Sequence, residues 1–567
     1  MTGGLTPQAA AAAQTAAALM NRRQFAQARA ILAPLARDWP FQPELQFLLG
    51  AACREVGDAV AAEAALRAAL DADPRHQRAA LDLARLMSSQ GRPSDLLEAT
   101  CFAAGADRPH EALLGERARA LLALGRDDEA VALRRRAVAL HPGKAGPLHN
   151  LAATQSDAGL GEDAERSARA ALSLGDTPET WLVLARALQS QNRFDEAETA
   201  FAEATRRRPD YVSALQDHAQ LVWMRTGNLE AALAVVDRAV PPDATGWPLR
   251  ILRARLMQSA GDTAGAYAAV MRDAPEGDVG ALTLAAQLAL TLDPGVALKH
   301  ALAASALAPD DRAVERALVE AHLAVGQPGA ALEAMAEPLR RTPFDQGFVA
   351  SQWTAWRLLG DPRAATLYDY ASVVSAGMID IPDGWASLPD YLHDLGAALR
   401  GLHGLTAHPI GQSLRHGAQT SASLLRSEAP AVRAFPKAIE AAVRRHLAFI
   451  GTGDDILRSR NTGDYRIRSM WSVRLSPGGF HTSHVHPDGW LSSACYIETP
   501  DVADDQDPEG WLKFGEPGGP TTPGLVAEYH VQPKPGLLAL FPSYMWHGTV
   551  PFSRGRRMTI AFDLVPA

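Results

Sequence analysis

The sequence predicts a multidomain chain: an all-α array of helical-hairpin repeats, then an all-β sandwich or small barrel of the jelly-roll kind with flanking helices. Three observations carry this prediction. Small residues recur at steps of 33 or 34 through the first two thirds of the chain. That period fades after Met378, at the breaker cluster Ile379-Asp380-Ile381-Pro382-Asp383-Gly384. From Tyr465 onward, short β-prone runs alternate with Gly/Pro turns. The boundary therefore falls between 1–378 and 379–567.

Composition bounds the rest. A chain of 567 residues with 47% hydrophobic and 21% charged residues can bury a core. The net charge of −9 argues against a general nucleic-acid binder, which needs a basic face to displace counterions. Cys53, Cys101 and Cys495 are far apart and odd in number, which disfavours a disulfide framework or a cysteine zinc site. The N-terminus carries no secretory pattern, and no run of 18 apolar residues occurs. The expectation is a soluble, cytoplasmic protein.

The repeat is clearest at Asn192-Arg193-Phe194-Asp195-Glu196-Ala197-Glu198, with Trp181, Leu184 and Ala185 before it and Phe201, Ala204 and Pro209 after it. Stepping from Ala197 reaches Ala164, Ala130, Leu96, Ala62 and Ala28 backwards, and Ala231, Ala264, Ala297, Ala331 and Ala364 forwards. A second small position, seven residues on, holds Ala69, Ala137, Ala171, Ala204 and Ala304. Small residues let paired helices approach closely, and stacked neighbours complete a core no hairpin builds alone. The pattern resembles the tetratricopeptide repeat, and about eleven repeats are expected. That resemblance implies a superhelical groove for a protein or peptide. Such an array also serves to form a homo-dimer or to brace a neighbouring domain.

In the last 190 or so residues, 385–400 and roughly 430–450 read as helical, with an amphipathic pattern from Pro436 to Phe449. Ile467 to Leu475 reads as a strand, Pro477-Gly478-Gly479 as a turn and Phe480 to His486 as a strand. Pro487-Asp488-Gly489 reads as a tight turn, with Leu491 to Glu498 the returning strand. Further strands are expected at Trp511–Phe514, Glu528–Val531, Leu537–Phe541 and Met558–Leu564.

A histidine set stands out here. On a strand, residues i and i+2 share a face, so His484 and His486 project together. His547 follows Phe541-Pro542-Ser543-Tyr544-Met545-Trp546, and Arg557 opens a strand whose apolar face is Met558, Ile560, Phe562 and Leu564, with Arg557 and Thr559 on the other. Imidazoles suit iron, zinc or copper, and a cation in the same pocket suits a dicarboxylate. The literal His-x-Asp alternative is His486-Pro487-Asp488. The local argument favours His484/His486, because Asp488 sits in a Pro-Asp-Gly turn that selects Asp for its own sake.

The layout resembles the 2-oxoglutarate/Fe(II)-dependent oxygenases on the double-stranded β-helix, and within them a branch reading His-x-His-Pro, a short turn, then Leu-Ser and a Tyr-bearing strand. Here that is His484-Val485-His486-Pro487-Asp488-Gly489-Trp490-Leu491-Ser492 through Tyr496, then Phe541-Pro542-Ser543…His547 and Arg557-Met558-Thr559. The segment His408 to Thr420 also resembles that branch. The resemblance, over about 400–567, implies that His484, His486 and His547 hold iron, and that Arg557, with Thr559 beside it, holds the distal carboxylate of 2-oxoglutarate. The usual superfamily triad has one carboxylate, and this sequence departs from it. His481 is expected on the opposite strand face with a structural role, Arg556 at the surface, and Trp471, Trp490, Tyr496 and Trp546 in the core or pocket wall. Ser472 and Arg474 are candidate pocket residues, and Cys495 is expected buried and unreactive.

The implied activity is hydroxylation of an aliphatic carbon, coupled to decarboxylation of 2-oxoglutarate. The array makes a protein or peptide side chain the expected substrate. Two alternatives stand beside it: a cupin-like metal-binding module without redox chemistry, and an interaction scaffold with an inactive oxygenase domain.

Overall fold

The structure, a computed structural model, describes residues 5–239, 246–500 and 507–567. The chain divides into two compact units, Met1–Leu188 and Gln189–Ala567.

The first unit consists of helical hairpins such as Pro43–Glu55 with Ala59–Ala72, and Ala145–Asp157 with Gly161–Leu174. The turn inside a hairpin needs a residue of positive φ, supplied by Gly57 at 83°. The small-residue positions pack as the period requires: Ala28, Ala62, Leu96, Ala130 and Ala164 have no exposed surface.

The second unit holds the later repeats together with the β domain. Ala197, Ala297 and Ala331 are again fully buried. The register drifts at two places. Ala231 is half-buried and Ala264 exposed, and Ala232 and Ala266 take the buried site instead. In each case the buried residue is the fourth of its helix, Leu229–Asp237 and Thr263–Asp273. A fixed step in sequence slips there because the loops between helices differ in length.

After the helices Gln346–Leu359, Arg363–Leu367 and Tyr370–Val373, the chain enters the β domain. Its strands are β1 Ser375–Met378, β2 Leu414–Gln419, β3 Tyr465–His481, β4 Leu491–Glu498, β5 Leu512–Phe514, β6 Tyr529–Val531, β7 Leu537–Pro542, β8 His547–Thr549 and β9 Arg557–Pro566. They form a six-stranded sheet, β1-β7-β4-β9-β3-β2, and a three-stranded sheet, β6-β5-β8. All pairings are antiparallel, as in a jelly roll. β1 precedes the expected boundary at 378/379, so an edge strand of the sheet comes from the segment the repeats were expected to occupy.

Two strand expectations change. Pro477-Gly478-Gly479 is not a turn: β3 runs through it, and Ser476–Gly479 bulge out opposite His416, which has φ of 51°. Nor does β4 return against β3. β9 lies between them and pairs with both, because its Met558, Ile560, Phe562 and Leu564 are all fully buried and seek the centre of the sheet. The helix Pro430–Ile450, where one was expected, buries Val432, Phe435, Ile439, Val443 and Leu447 in the core shared with this sheet. The helix Leu388–Leu402 packs there through Tyr391, Leu395 and Leu399.

Candidate metal centre

β3 ends at His481, short of the expected Phe480–His486 strand. The chain then stays extended by borrowing partners from both sheets. Thr482 N–H donates to Ser413 O at 2.9 Å, beside β2. His484 and His547 exchange backbone bonds, His484 N–H to His547 O at 2.9 Å and the reverse at 3.1 Å. His486 N–H donates to Ser543 O at 3.0 Å. This bridge sets His547, the first residue of β8, beside the His-x-His segment. One ligand atom from each of His484, His486 and His547 lies within 4.8 Å of the other two.

The tautomers follow from the partners. Nδ1 of His484 meets the Thr482 carbonyl at 2.9 Å, Nδ1 of His547 the Met545 carbonyl at 2.9 Å, and Nδ1 of His486 the Asp563 carboxylate at 2.5 Å. Those oxygens only accept, so each Nδ1 carries a proton and each Nε2 is the nitrogen left to face a metal. Nε2 of His484 and Nε2 of His486 are 3.2 Å apart. Burial, reinforced by the neighbouring imidazoles, brings His484 down to about 3 and holds His547 well below the usual histidine range. Neutral imidazoles with converging lone pairs are the state a metal ligand needs.

Arg557 lines the same cavity and is 2% exposed. Its guanidinium lies 5.1 Å from the Tyr496 ring centroid, its Nε has no hydrogen-bond partner, and no carboxylate pairs with it among the described residues. Burial lowers its proton affinity, partly offset by Tyr496. A buried cation without a counter-charge is costly, and an anionic ligand removes that cost. Thr559, 3% exposed, lies two residues along the same face. The donors present fit iron with a dicarboxylate: three imidazoles and, beside them, a guanidinium with no carboxylate partner among the described residues.

Several sequence expectations are met, and others need correction. Arg556 is exposed, Cys495 is buried, and burial raises its thiol. Asp488 is 77% exposed at its side chain and lies 3.9 Å from Arg468, apart from the three converging histidines. His481 is not on the far face. It lines the cavity, 5.7 Å from the His484 ring, because the break at Thr482-Ser483 cancels strand alternation. Ser472 and Arg474 do not line the cavity. Ser472 meets His403 Nε2 at 3.0 Å, and Trp471 and Val473 face the cavity instead.

Asp563 is the residue sequence reading missed. It is 8% exposed and also accepts from Ser492 Oγ at 2.8 Å. Burial alone would raise its carboxyl, but His486, Ser492 and Ser469 together hold it below the usual range. A signal existed: Asp563 has the parity of Arg557 and Thr559 on β9. A second cavity shares Trp471, His481, His484 and His486 and is walled by Gln412, Ser413 and Gln419, so the segment His408–Thr420 borders the histidines from the other side.

Comparison with known proteins matches both kinds of segment. Residues 469–563 match the family described as "Putative 2OG-Fe(II) oxygenase", and 182–246 and 54–95 match tetratricopeptide-repeat families. The chain thus carries tetratricopeptide repeats followed by a C-terminal domain of that oxygenase type. Among solved structures, yeast Tom70 is 13% identical, covering 64% of this chain and 91% of its own, with a TM-score of 0.35. A tetratricopeptide repeat protein from Parabacteroides merdae is 18% identical, covering 43% and 98%, with a TM-score of 0.33. No curated protein matches the chain.

Proposed function

We propose that 379–567 is a 2-oxoglutarate- and Fe(II)-dependent dioxygenase that hydroxylates an aliphatic carbon of a protein or peptide recruited by the repeat array, 1–378, in the cytoplasm. The reading rests on one observation: three histidines able to meet one metal ion, and buried Arg557 with no carboxylate partner among the described residues, line one cavity.

His484, His486 and His547 would hold the metal, each fixed in tautomer by its Nδ1 partner. Arg557 would grip the distal carboxylate of 2-oxoglutarate, with Thr559 as a further hydrogen-bonding group. When bound, iron and 2-oxoglutarate supply the oxidising power, coupling decarboxylation of the co-substrate to hydroxylation of a C–H bond. The walls Trp471, Val473 and Phe541 exclude water from that face. The cavity bordered by Gln412, Ser413 and Gln419 reaches the same histidines and offers the substrate a separate approach. Tetratricopeptide repeats are interaction modules, which supports a macromolecular substrate. The three cysteines are free, which suits a reducing compartment. A cupin-like metal module is not favoured, since it leaves Arg557 buried with no counter-charge.

The decisive experiment is anaerobic addition of Fe(II) and 2-oxoglutarate, monitoring the visible metal-to-ligand charge-transfer band. The wild type is expected to show the band and Arg557→Ala to lose it. Absence of the band in the wild type, or its persistence at full strength in the variant, overturns the assignment.

A further inference from the structure

The turn that presents His547 is held from outside the β domain. Tyr368, just after the helix Arg363–Leu367, uses one hydroxyl twice: it donates to Tyr544 O at 2.8 Å and accepts from Trp546 N–H at 2.9 Å. These two bonds bracket Met545, whose carbonyl fixes Nδ1 of His547 at 2.9 Å. The Tyr368 ring is stacked on Trp353 of the helix Gln346–Leu359, with centroids 3.9 Å apart and planes 10° from parallel. The same helix takes the Trp546 indole N–H, at 3.0 Å from Thr354 Oγ and 3.2 Å from Ala350 O. Its Arg357 holds Gly515 O at 2.6 Å, and Gly515 N–H donates to Trp546 O at 3.0 Å. Tyr368 is 3% and Trp353 1% exposed, so these groups have no competing water.

We infer that the last helical hairpin of the array is part of the metal site: Tyr368, with Thr354 behind it, is a positioning residue for His547. The inference rests on the metal reading above and goes beyond it. A metal ligand must be placed to within a fraction of an ångström, and β8 is only three residues long, His547–Thr549. The outer hydrogen bonds of a ligand commonly govern metal affinity by ten- to a hundredfold. Here those bonds belong to the Met545 peptide, and Tyr368 clamps that peptide on both sides.

The test uses the full chain and Co(II), whose visible d–d bands report both affinity and coordination geometry. In Tyr368→Phe the ring stacking persists and the bridging hydroxyl is lost. Co(II) affinity is expected to fall about tenfold, with altered d–d bands and unchanged near-UV circular dichroism. Thr354→Val, which removes one acceptor of the indole, should lower affinity by roughly threefold. Tyr370→Phe, which loses only its bond to Glu528 at 2.9 Å, should bind Co(II) as the wild type does. Wild-type affinity and spectrum in folded Tyr368→Phe overturn the inference and leave the metal assignment standing. If Tyr368→Phe does not fold, unchanged affinity in Thr354→Val overturns it. Failure of the wild type itself to bind Co(II) overturns the metal assignment and this inference with it.

Discussion

Asp563 on β9 lies 2.5 Å from Nδ1 of His486, so a buried carboxylate orients one imidazole of the histidine cluster. On the metal reading proposed above, the pairing would account for the departure from a two-histidine, one-carboxylate triad: the carboxylate would make His486 a better donor instead of binding directly.

Replacing it tests that role. Asp563→Asn keeps an acceptor but removes the charge, so Fe(II) affinity should fall about tenfold. Equilibrium dialysis under anaerobic conditions measures it. An unchanged dissociation constant would show that Asp563 is only a structural partner.

The ligand set makes a sharper contrast. His484→Ala should abolish Fe(II) binding, whereas Asp488→Ala, on an exposed turn, should leave it within error of the wild type. Metal content after reconstitution decides the matter, and the reverse pattern restores the His486/Asp488 reading.

At Arg557 the geometry of the charge matters as well as its sign. Arg557→Lys retains a cation but loses the fork that meets a carboxylate in two bonds. The affinity for 2-oxoglutarate should drop by about 3 kcal/mol, roughly a hundredfold, with Fe(II) binding retained. Isothermal titration of the Fe(II)-loaded protein reports it, and equal affinities for the two side chains would exclude a bidentate clamp.

Acid should destabilise the β domain through His446, a residue outside the cluster of His484, His486 and His547. It is 1% exposed, bonded to Ser375 Oγ at 2.7 Å, and held by burial at about 4. Because the unfolded chain binds this proton near 6.5, stability is complete above that pH and falls as pH drops towards 4. The loss is about 2 kcal/mol at pH 5. Thermal midpoints at pH 7 and pH 5 should converge more closely in His446→Gln than in the wild type, and equal pH slopes contradict the assignment.

Register in the repeats can be read from one helix. Ala266→Leu should cost about 1–3 kcal/mol by overpacking, while Ala264→Leu, on the exposed side, should change stability by less than about 0.5 kcal/mol. Chemical denaturation of the two variants separates them. Comparable losses would restore the uniform step of the repeat.

The legible parts of this protein are those where residue type answers to a local demand. Alanine at a helix crossing, a positive-φ residue in a hairpin turn and alternation along β9 are each dictated within a few residues, so the repeats, Arg557 and Thr559 were visible. His484, His486 and His547 were visible as candidates because imidazole is scarce and chemically distinct. Asp563 shared their strand logic but was hidden among ordinary strand residues.

The amino-acid sequence by itself determined the two kinds of architecture, the buried small positions where the step of the repeat holds, and the identity of the candidate ligands, because those follow from period, size and functional group. Tertiary structure alone decided which strands are neighbours, that His481 faces the cavity, that Pro477-Gly478-Gly479 is a bulge, and that Tyr368 reaches the turn before His547. The reason is physical. Strand pairing and side-chain clamps are set by contacts between residues as distant as Tyr368 and Tyr544. Such contacts are selected by burial of the whole core, and no local preference along the chain records them.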